Sequence, residues 1–384
     1  MSVSIITFAN LGQKKNHRTA GILPVIRIFS KKKKLVQVIC QINKNSNIPG
    51  VVSATPFFIR YVVRAVEIVF HISLRRVHQN LLDYFAHIKL RQADIHLFHA
   101  GESFTRTFRR SRKFGAITVS IATISDLEKN QEIEDEEMKL LGIRDYETNA
   151  KQALKRCPDY KRFDYIIAYS DFVRKSYIEK GYPAEKIFTA YSDIPIPPIP
   201  LKKQNPSFKI LYLAYISPRK GLHYLLEAWK DLQLPDAQLV IVGGYGRIPE
   251  QLKKQYEVAI DEDPRITRIG RTKDPSKYYE DASLFVFPSL YEGNPKVVME
   301  AMTYEVPVIT TDHAQSIIED GKSGLVVPIR DVEALKEKIR FCYNNRDLAD
   351  KIGRAGRKAM ENKKPFGEAV FEIYQDILKR EHNV

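Results

Sequence analysis

The first 60 residues of this 384-residue chain contain no aspartate or glutamate. Residues 1–125 hold 20 Lys and Arg against 4 Asp and Glu, a net charge of +16. Residues 201–384 hold 29 against 27, a net charge of +2. A basic, acid-poor region favours an anionic partner, and a phosphorylated substrate, an anionic membrane surface and nucleic acid are the candidates. A solubilising surface is the alternative.

Cysteine is also scarce. The chain has three, Cys40, Cys157 and Cys342, and no CxxC pair. This excludes a zinc or redox motif built from neighbours in sequence and favours inert thiols in a reducing cytosol. The opening "MSVSIITFANLGQKK" lacks the order of a signal peptide. The sequence therefore predicts a cytoplasmic protein, with a peripheral position on the inner membrane face as a further candidate.

Long hydrophobic runs are absent too. The longest apolar stretch, residues 57–74, is interrupted by Arg60, Arg64 and Glu67, which excludes a bilayer span. A helix of this composition suits either a membrane interface or a protein core with its arginines on the solvent face. The sequence favours the core helix.

Proline marks the domain organisation. Four prolines fall within residues 195–200, and such a run continues neither a helix nor a central strand. We therefore predict an N-terminal domain over residues 1–195, a stiff linker over 196–207 and a second domain over 208–365. A final helix over 366–384 is a candidate to pack back on the first domain.

Short apolar runs alternate with helix-length segments on both sides of the linker. Examples are "VSIITFAN", "LVQVICQI" and "DIHLFHA" before it, and "FKILYLAY", "AQLVIVGG" and "SLFVFPS" after it. Continuously apolar strands joined by helices are typical of parallel sheets covered on both faces. The sequence thus predicts an α/β protein with two Rossmann-like domains whose parallel sheets face a central cleft.

Ligands of such sheets bind where a strand ends and a helix begins. In "LAYISPRKGLHYLLEAW", Arg219 and Lys220 precede a helix, and cations beside a helix start form an anion site. In "LVIVGGYG", Gly243 and Gly244 allow a ligand close to the backbone. A basic surface turn and an ordinary tight turn are the alternatives.

The most informative turn is "YEGNPKVVME". Glu292 lies on the loop after a buried strand, Asn294 is predicted as N-cap with Pro295 at the first helical position, and Glu300 lies on the helix. Between the two glutamates, free backbone N–H groups of the helix start suit a phosphate. A nucleotide sugar needs two carboxylates for hydroxyls and amides with cations for its diphosphate.

Residues 287–312, "FPSLYEGNPKVVMEAMTYEVPVITTD", resemble the E-x7-E signature of the family 4 retaining glycosyltransferases, which have the GT-B fold. "SPRKGLHYLLEAW" is similar to the lysine-glycine turn of that family, "IVGGYG" to its glycine-rich turn and residues 318–339 to its usual continuation. Residues 165–194 resemble the segment before its linker. The resemblance covers about residues 160–360.

The resemblance implies residue roles. Glu300 would bind the ribose hydroxyls of a nucleotide-diphosphate sugar, and Glu292 would face the transferred sugar. Lys220 and the amides of residues 293–296 (Gly293, Asn294, Pro295, Lys296) would hold the departing diphosphate, with Arg219, Gly243 and Gly244 nearby. The resemblance also implies no metal, no cofactor besides the donor substrate and no dedicated protein base, because the leaving phosphate accepts the acceptor's proton.

The chain departs from the family pattern at three places. Ala214 and Tyr215 replace a glycine and an arginine after the first strand of the second domain, and Arg219 is a candidate substitute. The early loop has a single glycine, Gly12, where two are usual. The segment "SIATISD" lacks the usual histidine, so His99 is the nearest catalytic candidate, with a structural histidine as the alternative.

The sequence therefore predicts a retaining, metal-independent glycosyltransferase of the hexosyltransferase type. It would move a sugar from a nucleotide-diphosphate sugar to a saccharide or lipid-linked acceptor in cell-surface polysaccharide or glycoconjugate synthesis. Its partners would include an anionic membrane surface through the basic N-terminal domain, and no nucleic acid. The alternative is a catalytically impaired nucleotide-sugar-binding or scaffold protein on the same fold.

Overall fold

A computed structural model describes residues 2–7, 9–11, 17–43, 48–70, 74–99, 104–156, 161–198 and 207–382. The chain forms two compact units. The first unit comprises Met1–Ile124, Gln152–Asp193 and Lys364–Val384, and the second comprises Ser125–Lys151 and Ile194–Lys363.

The first unit is built on a parallel sheet of seven strands in the order β5-β3-β1-β6-β7-β8-β9. A separate parallel sheet pairs the two short strands β2 and β4. The strands are β1 (Val3–Thr7), β2 (Asn10–Leu11), β3 (Leu35–Cys40), β4 (Ile42–Asn43), β5 (Val51–Ser53), β6 (Ile95–His99), β7 (Ile117–Ala122), β8 (Tyr165–Ala168) and β9 (Ile187–Thr189). Every residue of β1, β6 and β8 is buried, as expected for a sheet covered on both faces.

The helices of the first unit include one from the far end of the chain. They are α1 (His17–Lys31), α2 (Phe57–Val69), α3 (Arg75–Lys89), α4 (Thr105–Lys113), α7 (Asp171–Glu179) and α14 (Phe366–His382). The last helix, α14, packs on α1, and a Cβ atom on Gly367 would lie 2.6 Å from the carbonyl oxygen of Pro24. Phe29 of α1 meets Phe371 and Tyr374 edge to face.

The second unit holds a parallel sheet of six strands in the order β12-β11-β10-β13-β14-β15. The strands are β10 (Phe208–Leu213), β11 (Ala237–Val242), β12 (Ile266–Ile269), β13 (Leu284–Phe287), β14 (Val308–Thr311) and β15 (Leu325–Val327). The helices are α5 (Leu127–Leu140), α8 (Leu222–Asp231), α9 (Glu250–Asp261), α10 (Ser276–Asp281), α11 (Lys296–Thr303), α12 (Val332–Asn344) and α13 (Arg346–Asn362). The remaining helix, α6 (Asn149–Arg156), crosses the division between the units.

The predicted fold class is confirmed as two α/β units with parallel sheets, and each quoted apolar run forms a strand. The division of the chain differs from the predicted boundaries, because residues 125–151 group with the second unit although they precede the linker. The contacts of Glu137, on α5, explain this grouping. Its fully buried carboxylate accepts a hydrogen bond from Arg330 at 2.8 Å and lies 2.6 Å from Nε2 of His223.

Helix α2 contradicts the expectation of a core helix in part. Arg64 is exposed as expected, but the solvent side also exposes Phe58, Tyr61 and Val62, and Arg60 is only partly exposed. Among the residues that the structure describes, no helix is long and apolar enough to cross a membrane.

Two of the cysteines are inert, as predicted. Cys40 and Cys342 are free and buried, and burial raises the pKa of each thiol to about 12. Cys157 lies outside the described residues.

Candidate active site

Two neighbouring strands bring the main predicted motifs together. Strands β10 and β13 pair in parallel, so the loops that follow them leave the same edge of the sheet. Gly221, in the first of these loops, has a φ of 68°, and a Cβ atom there would lie 1.9 Å from the carbonyl oxygen of Pro288. Only glycine fits this position, which seats the Arg219–Lys220 turn against the second loop.

Hydrogen bonds join the two loops. The Leu290 amide donates to the carbonyl oxygen of Arg219 at 2.8 Å, and the Ser289 hydroxyl oxygen lies 3.1 Å from the same oxygen. Residues Pro218–Lys220 form one turn of 3₁₀-helix that ends at Gly221. The cationic side chains are therefore fixed relative to the loop that carries Glu292.

Arg219, Lys220 and Glu292 form an ion cluster. The Oε1 atom of Glu292 accepts hydrogen bonds from Arg219 Nη1 at 2.8 Å, from Ser289 Oγ at 2.8 Å and from Lys220 Nζ. The Glu292 side chain is only 12% exposed. Two cations whose side chains are only 22% and 15% exposed face one carboxylate, which leaves the cluster with a net charge of +1.

The cluster shifts the pKa of each of its members. Burial alone would raise the pKa of Glu292, but Arg219 and Lys220 outweigh it and lower that pKa to about 2. Burial and the charge of Arg219 lower the pKa of Lys220 to about 8, against the opposing effect of Glu292. Lys220 is therefore the one cation of the cluster that can lose its proton near the physiological range.

Arg219 is held from a second direction by Tyr291. Its guanidinium lies 4.9 Å from the centre of the Tyr291 ring, and its Nη1 also donates to the Tyr291 carbonyl oxygen at 2.7 Å. The buried Tyr291 hydroxyl donates to Glu134 on α5 at 2.7 Å. The Glu134 carboxylate, which belongs to the segment 125–151, thus positions the Tyr291 ring that packs against the Arg219 guanidinium.

The helix start differs slightly from the prediction. Helix α11 begins at Lys296, and Pro295 rather than Asn294 is its N-cap residue. The Asn294 side chain instead accepts a hydrogen bond from the Ser316 hydroxyl at 2.7 Å, which ties it to the loop after β14. The amides of Val298 and Met299 donate to the Pro295 carbonyl oxygen at 3.1 and 3.3 Å. The start of α11 follows Gly293 and presents the positive end of the helix dipole, which suits an anion.

Glu300 lies on α11 as predicted. Its Oε2 accepts a hydrogen bond from the Tyr279 hydroxyl at 3.0 Å, and its side chain is partly exposed. Burial lowers the pKa of Lys296 while Glu300 raises it, with a net lowering. Tyr279 holds the carboxylate in place, and an ionised carboxylate has about four lone-pair sites with which it can accept hydrogen bonds from a diol.

The glycine-rich turn follows β11. Gly243 has a φ of 147°, and a Cβ atom there would lie 1.8 Å from the carbonyl oxygen of Ala214. At Gly244 a Cβ atom would lie 3.0 Å from the side chain of Arg271, whose guanidinium stacks 4.8 Å from the Tyr215 ring. Tyr215 replaces the arginine of the family pattern, and its ring stacks with Arg271, an arginine of the loop after β12.

His99 belongs to the first unit. Its Nδ1 lies 3.0 Å from the Thr7 hydroxyl and its Nε2 lies 3.2 Å from the Tyr169 hydroxyl, and the ring is buried. These are the contacts of a structural histidine, and its catalytic role stays a prediction. Gly12, the remaining predicted donor residue, lies outside the described residues.

Sequence reasoning missed several residues of the site. Ser289, Tyr279 and Arg271 touch predicted residues, and Glu134 touches Tyr291, whose ring packs against Arg219. Arg271 carried a signal, because "RIGRTKD" places a glycine and an arginine directly after β12. Within the described ranges, no group of three or more His, Cys, Asp and Glu side chains could hold a metal ion.

Residues 198–359 match the family model of the glycosyl transferases group 1. The capsular polysaccharide biosynthesis glycosyltransferase CapM of Staphylococcus aureus is 32% identical over 185 residues, which are 46% of this chain and 48% of CapM. The chain thus matches about half the length of that relative. The putative colanic acid biosynthesis glycosyltransferase WcaL of Escherichia coli is 26% identical over 306 residues, 76% of this chain and 69% of WcaL.

A solved structure shares the whole architecture. The crystal structure of Anabaena Alr3699/HepE in complex with UDP and glucose superposes with a TM-score of 0.62 at 16% identity, over 98% of this chain and 99% of that one. The fold of this chain is accordingly the predicted GT-B fold, with two Rossmann-like units. Residues 198–359, which carry the ion cluster and both glutamates of the E-x7-E signature, are the part of the chain that matches the family model of the glycosyl transferases group 1.

Proposed function

We propose that this protein is a glycosyltransferase that moves a sugar from a nucleotide-diphosphate sugar to a saccharide or lipid-linked acceptor. The reaction retains the anomeric configuration and needs no metal ion. The relatives named for capsular and colanic acid biosynthesis favour a polysaccharide or another glycoconjugate of the cell surface as its product.

The observation that carries this proposal is the ion cluster beside the start of α11. Arg219 and Lys220 meet at a single oxygen of Glu292, at the sheet edge where α11 begins with the positive end of its helix dipole. A site with net charge +1 and backbone donors suits a diphosphate, whose charge it partly neutralises. Lys220 and Arg219 supply the positive charge that other enzymes draw from a bound metal.

The proposed roles follow the chain. Glu300 accepts hydrogen bonds from the ribose diol, and Tyr279 orients it. Lys220 and the first-turn amides of α11 stabilise the negative charge that grows on the diphosphate as the bond from the anomeric carbon to oxygen breaks. The acceptor oxygen bonds to the same face of the sugar, and its proton passes to the departing phosphate. Glu292 faces the sugar and holds the two cations together.

A second candidate function, donor binding without turnover, is favoured by Tyr215. This residue occupies the position at which the family has an arginine. Its ring stacks with the guanidinium of Arg271, and the Arg271 side chain lies beside Gly244 of the glycine-rich turn. We propose that Arg219 and Arg271 together supply the missing charge. Release of nucleoside diphosphate from any sugar donor excludes the second candidate.

The donor site is tested by a thermodynamic cycle in which the Glu300 carboxylate is removed from the protein and the ribose hydroxyls are removed from the ligand. UDP is the probe, since the HepE structure contains it. The Glu300→Ala change should weaken UDP binding about tenfold to a hundredfold, because a charged hydrogen bond contributes about 1.5–3 kcal/mol. Calorimetric titration measures this difference.

The control ligand is 2′,3′-dideoxy-UDP, which lacks the proposed partner of Glu300. It should bind the native protein and the Glu300→Ala variant with equal affinity. Equal weakening of both ligands by the substitution would show that Glu300 does not meet the ribose, and the site assignment would be wrong.

The affinity for UDP should depend on pH through Lys220. Burial and Arg219 lower the pKa of Lys220 to about 8, so the free site loses a charge as pH rises through that value. A diphosphate binds best to the protonated form. Affinity should therefore be level between about pH 7 and 7.5 and fall above pH 8 by up to about tenfold per pH unit.

The matched control is Lys220→Arg, which keeps a positive charge throughout this range because arginine stays protonated. UDP affinity of this variant should stay level up to about pH 9. A native protein whose affinity is equally level up to about pH 9 would contradict the placement of the diphosphate at Lys220.

A further inference from the structure

Helix α2 exposes a large apolar face. The side chains of Phe58, Tyr61, Val62, Ile68 and Val69 are exposed by 67%, 70%, 61%, 61% and 68%. Phe70, directly after the helix, is 65% exposed. Scattered apolar residues on a surface are normal, but a contiguous group of this size marks an interaction site.

The five side chains share one side of the helix. Positions 58, 61, 62, 65, 68 and 69 follow the three-and-four spacing of a single helical face, which we call the α2 face. Ala65 fills the position between them and is exposed as well. The opposite side carries Ile59, Val63 and Val66, which are partly buried. Helix α2 is therefore apolar on both sides, and Phe58 and Tyr61 are on the solvent side.

A salt bridge holds the charged side chains at the edge of the α2 face in place. Arg64 is exposed and pairs with Glu67 at 3.1 Å. The other oxygen of Glu67 accepts a hydrogen bond from the Leu74 amide at 3.0 Å, which ties the end of α2 to the start of α3. The helix is thus anchored at its C-terminal end, and its exposed apolar residues are not a frayed segment.

The unit that contains α2 is rich in basic residues. Residues 1–125 carry a net charge of +16, and the exposed Lys31, Lys32 and Lys33 lie in the same unit as α2. An apolar helix face within a basic unit matches an anionic phospholipid surface in both of its properties. The apolar side chains enter the acyl boundary while Lys and Arg meet the headgroups.

We propose that the α2 face docks the protein on the surface of an anionic phospholipid bilayer. The helix lies in the plane of the interface and does not span it. This proposal stands on the first unit alone and does not depend on the donor site.

Charge also argues against the other occupants of this face. A second copy of the chain would bring one basic unit against another, and like charges across an interface disfavour association. Nucleic acid is bound through exposed cations and stacked bases, and it gains little from an aliphatic face that includes Val62, Ile68 and Val69.

Vesicle sedimentation tests the docking directly. The probe is a vesicle of phosphatidylglycerol and phosphatidylcholine in about a 3:7 ratio, and the full chain is used at low salt, where the attraction is least screened. The native protein should sediment with these vesicles and should bind pure phosphatidylcholine vesicles much less. The double variant Phe58→Ser/Val69→Ser should lower the partition coefficient at least about tenfold, because each side chain loses its transfer out of water.

The control is Val258→Ser/Leu348→Ser, two apolar residues of the second unit that are exposed by 54% and 46%. This variant should bind vesicles as the native protein does. Sedimentation velocity without lipid checks the oligomeric state of all three proteins, and their circular dichroism should be the same because every changed residue is exposed.

Three results would overturn the proposal. The first is vesicle binding by Phe58→Ser/Val69→Ser that equals native binding. The second is equal loss of binding in the control variant. The third is a native dimer that the α2 variant alone dissociates, which would show that the occupant is a second copy of the chain.

Discussion

Replacing Lys220 with alanine should lower kcat for release of nucleoside diphosphate from the sugar donor about a hundredfold to a thousandfold. Lys220 is the cation that we place at the oxygen where charge develops as the glycosidic bond breaks. The effect on KM should be smaller, since Arg219 and the amides of α11 remain. The measurement is the initial rate of UDP release from the nucleotide sugar that the native protein turns over fastest.

Lys230→Ala is the matched control, because Lys230 is exposed on the same loop-and-helix segment, at the far end of α8. Its kcat should be native. A Lys220→Ala enzyme with native kcat and a raised KM would assign Lys220 to ground-state binding and would contradict its proposed role in the transition state.

The second large effect is expected for Glu292→Gln. This change leaves Arg219 and Lys220 close together in a buried site without a counter-charge. Breaking a buried ion cluster from one side costs about 3–5 kcal/mol, so the free energy of unfolding should fall by about that amount at neutral pH. Urea unfolding measures the difference.

A bound ligand and a lower pH should each reduce the difference in stability between the native protein and Glu292→Gln. UDP supplies negative charge, so it should raise the melting temperature of Glu292→Gln more than that of the native protein. The native carboxylate has its pKa lowered to about 2 from an ordinary value of 4.5. Its advantage over glutamine is therefore fully present above pH 4.5 and is lost as pH falls towards 2.

Glu227→Gln is the control, because Glu227 is an exposed glutamate on α8. It should change stability by less than about 0.5 kcal/mol. A Glu292→Gln protein that is as stable as the native chain and responds equally to UDP would contradict this account. It would show that Arg219 and Lys220 do not need the Glu292 counter-charge for stability and that the diphosphate does not bind at the cluster.

The strands were predictable because burial on both faces leaves a continuous apolar run. Strands β1, β6, β10 and β13 each coincide with such a run, and their order in two groups predicted two parallel sheets. Glu292, Lys220 and Glu300 were predictable as candidates, because strand-to-helix turns of a parallel sheet are where ligands bind.

The hydrogen bonds of the site were not predictable in the same way. The meeting of three donors at one oxygen of Glu292 depends on the pairing of β10 with β13 and on the close approach of Gly221 to Pro288. The bond from Tyr291 to Glu134 joins residues 157 positions apart, and nothing local in either segment signals it. Long-range packing decides such contacts.

The helix α2 shows the limit of composition as a guide. Its arginines suggested a solvent face and its apolar residues a core, and the structure instead exposes Phe58, Tyr61 and Val62. A helix that is apolar on two sides has no single wet face in its sequence. Only the neighbouring elements, here α3, decide which side is covered.

A crystal structure of the chain with bound UDP tests the central claim most directly. The account predicts the diphosphate within hydrogen-bond distance of Lys220 Nζ and of the first-turn amides of α11, with the ribose hydroxyls on Glu300. It also predicts that Lys220 moves from Glu292 toward the phosphate. UDP bound elsewhere, or bound with the contacts between Lys220 and Glu292 unchanged and no phosphate at α11, would contradict it.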